Sequence, residues 1–172
     1  MLMPQSQSRW ADDFLERVEA TGLPCRISVR VNGWPETATI GTQTCFVKSV
    51  TLNADQRLYF QGVDTKKLTE VGNWVLICGG VSRDLHDIFI IPWDIFFQVL
   101  RQGQPVNTYR PPREYWQYKF RIAERSGRWL LSVQGRPSEP LDVTKWRYGV
   151  HEAIQFLCGL SPSVRGSGCT DG

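Results

Sequence analysis

The run Trp74-Val-Leu-Ile-Cys78 is apolar at every position and ends in Gly79-Gly80. Side chains alternate between the two faces of a strand, so an unbroken apolar run of this kind needs cover on both sides. It predicts a central strand at the middle of the core. Other segments supply the layers around it. Cys25-Arg-Ile-Ser-Val-Arg-Val31 alternates strictly, which places Ile27, Val29 and Val31 on one face of a half-buried strand and Arg26, Ser28 and Arg30 on the other. Ala38-Thr-Ile, Thr44 to Val50, Arg57 to Gln61 and Asp87 to Ile91 also read as extended, separated by Asn32-Gly-Trp-Pro and Asn53-Ala-Asp-Gln turns.

Three stretches carry helical patterns. Trp10, Phe14 and Val18 recur at four-residue spacing between a Ser8 cap and Gly22. Pro92 introduces an amphipathic segment, Trp93 to Leu100, and Val150, Ala153, Ile154 and Leu157 share a face within a helix expected over 142–158. A further helix is expected near Asp64 to Glu70, closed by Gly72. Tyr115 to Ile122 alternates, and Gly127 separates it from Trp129 to Val133, which predicts an antiparallel pair. The fold class that follows is α+β, a mixed central sheet flanked by helices with a C-terminal hairpin and helix. The expected organisation is a disordered start over 1–7, one domain over 8–160, and a flexible tail over 161–172, rich in Ser and Gly.

A chain of 172 residues, 41% hydrophobic and 12% aromatic, is large enough to bury a real core. Its five cysteines, Cys25, Cys45, Cys78, Cys158 and Cys169, lack CxxC spacing and read as reduced thiols. The first residues have neither a basic nor an apolar leader region, and no stretch approaches membrane-spanning length. A cytoplasmic protein without a membrane partner is the expectation.

Neither a phosphate-loop pattern nor a dinucleotide glycine fingerprint occurs. His151-Glu152 opens like a zinc-peptidase motif, but position 155 is Gln, and His86 reads as a polar loop residue. The order helix, strand, strand, strand, helix, strand over 8–80, together with Cys45-Phe-Val-Lys-Ser49, resembles the core of the PD-(D/E)XK nuclease superfamily, the fold of many restriction endonucleases. The resemblance extends loosely through Tyr59-Phe60 and over residues 87–97. It implies a restriction-endonuclease-like core, with Lys48 in the family's basic position as the catalytic lysine that stabilises developing charge and Glu36 as a catalytic, metal-holding carboxylate for Mg2+. Phe46 stands where the family has its second acid, and a phenyl ring cannot ligate magnesium. A degenerate, binding-only domain with no cofactor and an active metal-dependent endonuclease both stay open. So does a plain role for Lys48 on an exposed strand face.

The formal net charge is only +3, but residues 101–150 hold ten Lys/Arg against four Asp/Glu. Aromatic side chains interleave with them. Basic groups attract phosphates and aromatic faces stack on bases, so Arg110, Arg113, Tyr115, Lys119, Arg121, Lys145 and Arg147 form the candidate nucleic-acid-binding set. On the strand 115–122, Tyr115, Gln117, Lys119 and Arg121 point one way, while Trp116, Tyr118, Phe120 and Ile122 point inward. The alternative is a solvated sheet face whose charges serve solubility and edge protection. The partner expected first is DNA or RNA. A protein-interaction module, a homodimer, or an accessory role to another protein are the competing readings.

Overall fold

A computed structural model describes residues 9–108 and 115–160 of the chain. In chain order the elements are α1 (Trp10–Glu19), β1 (Cys25–Val31), β2 (Trp34–Ile40), β3 (Gln43–Thr51), β4 (Leu58–Asp64), a 3-10 turn (Thr65–Thr69), β5 (Trp74–Val81) and β6 (Asp84–Pro92). They continue with α2 (Trp93–Arg101), β7 (Val106–Asn107), β8 (Trp116–Arg125), β9 (Arg128–Val133), β10 (Leu141–Asp142), a second 3-10 turn (Thr144–Trp146), β11 (Arg147–Tyr148) and α3 (Val150–Gly159). The class is α+β, with a mixed central sheet flanked by helices. Six strands form that large sheet in the order β1-β2-β3-β5-β6-β11, parallel between β3 and β5 and antiparallel elsewhere.

β5 lies inside this sheet, and its two faces feed two different cores. Val75 and Ile77 join Phe46, Phe89 and the α2 ring cluster Trp93, Phe96 and Phe97 on one side. Leu76 and Cys78 join Trp10, Phe14 and Val18 of α1 and Ala153 and Leu157 of α3 on the other. That division is the physical reason for the unbroken apolar run. The C-terminal hairpin β8–β9 is more than an appendage, because β8 also pairs with β4. Together they build a second, small sheet, β10-β9-β8-β4, whose inner face completes the first core with Tyr59, Phe120, Ile122 and Leu131.

The connection from β3 to β5 therefore runs through a strand and a short 3-10 turn instead of a full helix. Within 64–70 only Leu68 is apolar, so no helical stripe exists to extend the turn. The C-terminal helix likewise starts at Val150, since 141–148 forms two short strands and a turn. At the other end, α1 begins at Trp10 with Arg9 in the capping position and no side-chain cap. The Ser8 cap, the expected start over 1–7 and the expected tail over 161–172 lie outside the described residues.

β1 departs from its alternation. Cys25 and Ile27 pack against the α1/α3 core, but Val29 and Val31 are 43% and 42% exposed. The strand is the edge of the sheet, and its register shifts twice between Ile27 and Arg30, so the apolar face runs past the helices that would cover it. Cys25, Cys45 and Cys78 are free thiols, and burial raises the pKa of Cys45 to about 12. Cys158 is disulfide-bonded, against the expectation of five reduced thiols. It stands in the last turn of α3, where the described chain ends, and not in a strand interior. Among the described residues no helix is long and apolar enough to cross a membrane.

Candidate functional site

The β4–β8 register decides what the small sheet shows to solvent. Phe60 pairs directly with Arg121, Gly62 with Lys119, and Asp64 with Gln117. Directly opposed residues share a face, and the neighbours Tyr59, Phe120 and Ile122 point into the core. Phe60 and Arg121 consequently face outward, Phe60 at 55% exposure. Lys119 Nζ sits 6.0 Å from the Phe60 ring centroid and donates to Gln117 Oε1 at 2.6 Å. Gly62 makes room for that side-chain pair, because a Cβ there would lie 2.6 Å from Gln117 Oε1. Arg121 Nε donates to Ser132 Oγ at 3.0 Å, which holds the guanidinium along the sheet surface. On the same strand Trp116 is 45% exposed instead of buried, since it lies at the end of the ladder beyond the core. Tyr115 is half-buried, and its carbonyl accepts from Thr108 N–H at 2.6 Å.

The other sequence-chosen cations lie elsewhere. Arg147, on β11, makes 2.6 Å contacts to Asp87 Oδ1 and stacks with its guanidinium carbon 5.2 Å from the Trp129 ring. Trp129 belongs to the core, so Arg147 lies against the inner side of the small sheet, opposite to Lys119 and Arg121. Asp87 is 1% exposed and also accepts the Tyr59 hydroxyl at 2.6 Å, with His86 Nδ1 at 3.1 Å. A charge this buried needs its partners, which makes Arg147 a structural counter-ion. His86 itself is on β6, not in a loop. Lys145 is exposed on the second 3-10 turn, with Nζ 4.5 Å from the Trp146 ring. Arg110 and Arg113 lie outside the described residues.

Glu36 and Lys48 belong to a cluster where β2, β3 and the first 3-10 turn meet, close enough to Asp64 and Lys119 of the small sheet for their charges to act on Lys48. Lys48 and Lys67 each place Nζ 5.5 Å from the centroid of the same Phe46 ring. Lys67 Nζ contacts Glu70 Oε2 at 2.7 Å, Thr37 Oγ1 at 2.8 Å and Glu36 Oε2 at 3.5 Å. Sequence reasoning missed Lys67, because nothing in Lys66-Lys67 marks which of the two turns inward. Burial lowers the Lys48 pKa to about 8; Glu36 and Asp64 oppose that fall, while Lys67 and Lys119 add to it. The residues present do not fit a magnesium ion. Phe46 places a phenyl ring beside the two ammonium groups, Glu36 faces an ammonium, and among the described residues no three His, Cys, Asp or Glu side chains group to hold a metal.

Lys48 carries a measurable consequence. Its folded pKa lies below the unfolded value near 10.5, so the unfolded chain binds the proton more tightly and stability rises with pH between about 8 and 10.5. Below about pH 8 the full cost of burying the charge is present. Lys48→Met is expected to be more stable than the wild type at pH 7 by about 1–3 kcal/mol, with the gain fading by pH 10. Urea unfolding at the two pH values measures it, and a less stable variant at pH 7 would reject the assignment. Compared with known proteins, the chain matches no family model, no curated protein and no solved structure.

Proposed function

We propose that the protein binds nucleic acid, DNA foremost, on the outer face of the small sheet, and acts as a binding protein instead of a metal-dependent nuclease. One observation carries this reading: an exposed phenyl ring, Phe60, has a guanidinium directly across the strand pair and an ammonium 6.0 Å from its centroid. Phosphates are drawn by the two cations, and the open ring face stacks a base. The pairing with two cations, more than the 55% exposure of the ring alone, sets Phe60 apart from the other exposed apolar side chains such as Val71. The misfit of magnesium to the Glu36–Lys48 cluster supports binding over catalysis.

Base stacking requires unpaired bases, so single strands should bind more tightly than duplexes of equal length. Fluorescence anisotropy across single- and double-stranded DNA and RNA, titrated with salt, provides the test. The expected result is a linear fall of log affinity with log salt, of slope roughly −0.7 per phosphate neutralised for single strands. An absence of binding to every one of these at low salt would remove the proposal.

A further inference from the structure

Next to Phe60, the same sheet face carries an amide whose orientation is fixed. Gln117 lies on β8 directly across from Asp64, and its side chain leans over Gly62, two residues along β4 from Phe60. Lys119 Nζ donates to Gln117 Oε1 at 2.6 Å. An ammonium has donors only, so the amide atom that meets it is the oxygen, and the NH2 group takes the other position. A Cβ at Gly62 would lie 2.6 Å from Oε1 and 3.0 Å from Cδ, so the accepting end is the part pressed to the strand. Nε2 keeps both donors without an acceptor among the described residues. Asp64, across the strand pair, accepts from Lys66 N–H at 2.9 Å through Oδ1 at the start of the first 3-10 turn. Lys119 Nζ also stands 6.0 Å from the Phe60 centroid, which places the ring and the amide beside one ammonium. A base stacked on Phe60 therefore has its edge within reach of Nε2.

We propose that Gln117 is a specificity-determining residue of this face, its amide N–H donating to a carbonyl oxygen on the edge of the base stacked on Phe60, so that thymine is preferred over adenine. The inference rests on the binding face proposed above. A glutamine with both ends open reads adenine bidentately, accepting from the N6 amino group and donating to N7. Here the accepting end is held by Lys119 against Gly62, and that mode is closed. What remains is a donor. It matches the O4 carbonyl of thymine, whereas the amino group of adenine is left facing a second donor. The ring stacks on any base, and the amide supplies the choice.

Anisotropy of the full chain with fluorescent oligo(dT) and oligo(dA) of equal length tests this, read as the ratio of the two affinities. The two strands differ in flexibility and self-stacking, and that difference contributes equally to wild type and variant. Gln117→Met keeps the length of the side chain without its donors. It is expected to reduce the dT:dA ratio by about 2- to 10-fold, the size of one net hydrogen bond, through weaker dT binding. If folded Gln117→Met leaves the ratio unchanged while Phe60→Ala still weakens both strands, the Gln117 assignment is overturned and the binding face stands. Absence of wild-type binding to either strand overturns both. A second readout needs no substitution: the Gln117 side-chain amide resonance of the wild type should shift on saturation with oligo(dT) and less with oligo(dA). A signal that moves with neither strand overturns the assignment.

Discussion

Replacing Asp87 with alanine is expected to destabilise the protein by about 3–5 kcal/mol, the range for breaking a buried ion pair from one side. Asp87 is 1% exposed and ties three strands from two sheets: it sits on β6, accepts the Tyr59 hydroxyl from β4, and receives Arg147 from β11. The local sequence arranges this. Gly79 is directly opposite Asp87 in the β5–β6 register, and a Cβ at Gly79 would lie 2.6 Å from the Tyr59 ring. The missing side chain lets Tyr59 lie over the strand and reach the carboxylate. Alanine at 87 strands a phenol and a guanidinium in the inter-sheet core, although Arg147, 38% exposed, can turn partly to water. For a chain of this size the loss corresponds to a Tm drop of roughly 6–20 °C.

The pair Arg128–Asp142 is the internal control. Its 2.8 Å contact is nearly as short, but its side chains are 64% and 38% exposed, so Arg128→Ala should shift the Tm little. Thermal unfolding of the two variants side by side measures the contrast. An Asp87→Ala protein that melts within a degree or two of wild type would mean that the network does not hold the sheets together.

Where the sequence was legible, one strand's packing was enough to read it. The β5 run reports cover on both faces, and the structure supplies α1 and α3 on one side and α2 with the small sheet on the other. β1 was misread because alternation says which residues share a face but not whether anything covers that face. The pairing of β4 with β8 was not legible either: it joins segments some sixty residues apart, and no local pattern encodes a partner. That pairing positions Phe60 beside Arg121, so the candidate interface became visible only with the register. A signal did exist in Leu58-Tyr-Phe-Gln-Gly62, where strict alternation with Tyr59 inside forces the apolar Phe60 outside. Arg147 shows the opposite limit. Charge counting treats it like Arg121, and only the fold separates a guanidinium neutralised by a buried carboxylate from one lying on an open sheet face.

That separation leads to the second large effect, which concerns binding. Phe60→Ala is expected to lower affinity for single-stranded DNA by about 1–3 kcal/mol, roughly 5- to 150-fold, at every salt concentration, because stacking releases no counter-ions. Arg121→Ala should act differently, weakening binding most at low salt and reducing the salt slope by roughly 0.7–1. Lys119→Ala should behave like Arg121→Ala if its ammonium meets a phosphate beside the ring. The double variant Phe60→Ala/Arg121→Ala should then lose affinity by about the sum of the two, with the flattened slope of the second. Arg147→Ala belongs to the other side of the sheet and should change stability without changing the slope. Salt-titrated anisotropy on the folded variants separates these patterns. Binding that ignores Phe60 and Arg121 but falls with Arg147 would place the interface on another surface. The two signatures must diverge as described because a phenyl ring can contribute only stacking and a guanidinium on this face contributes mainly charge.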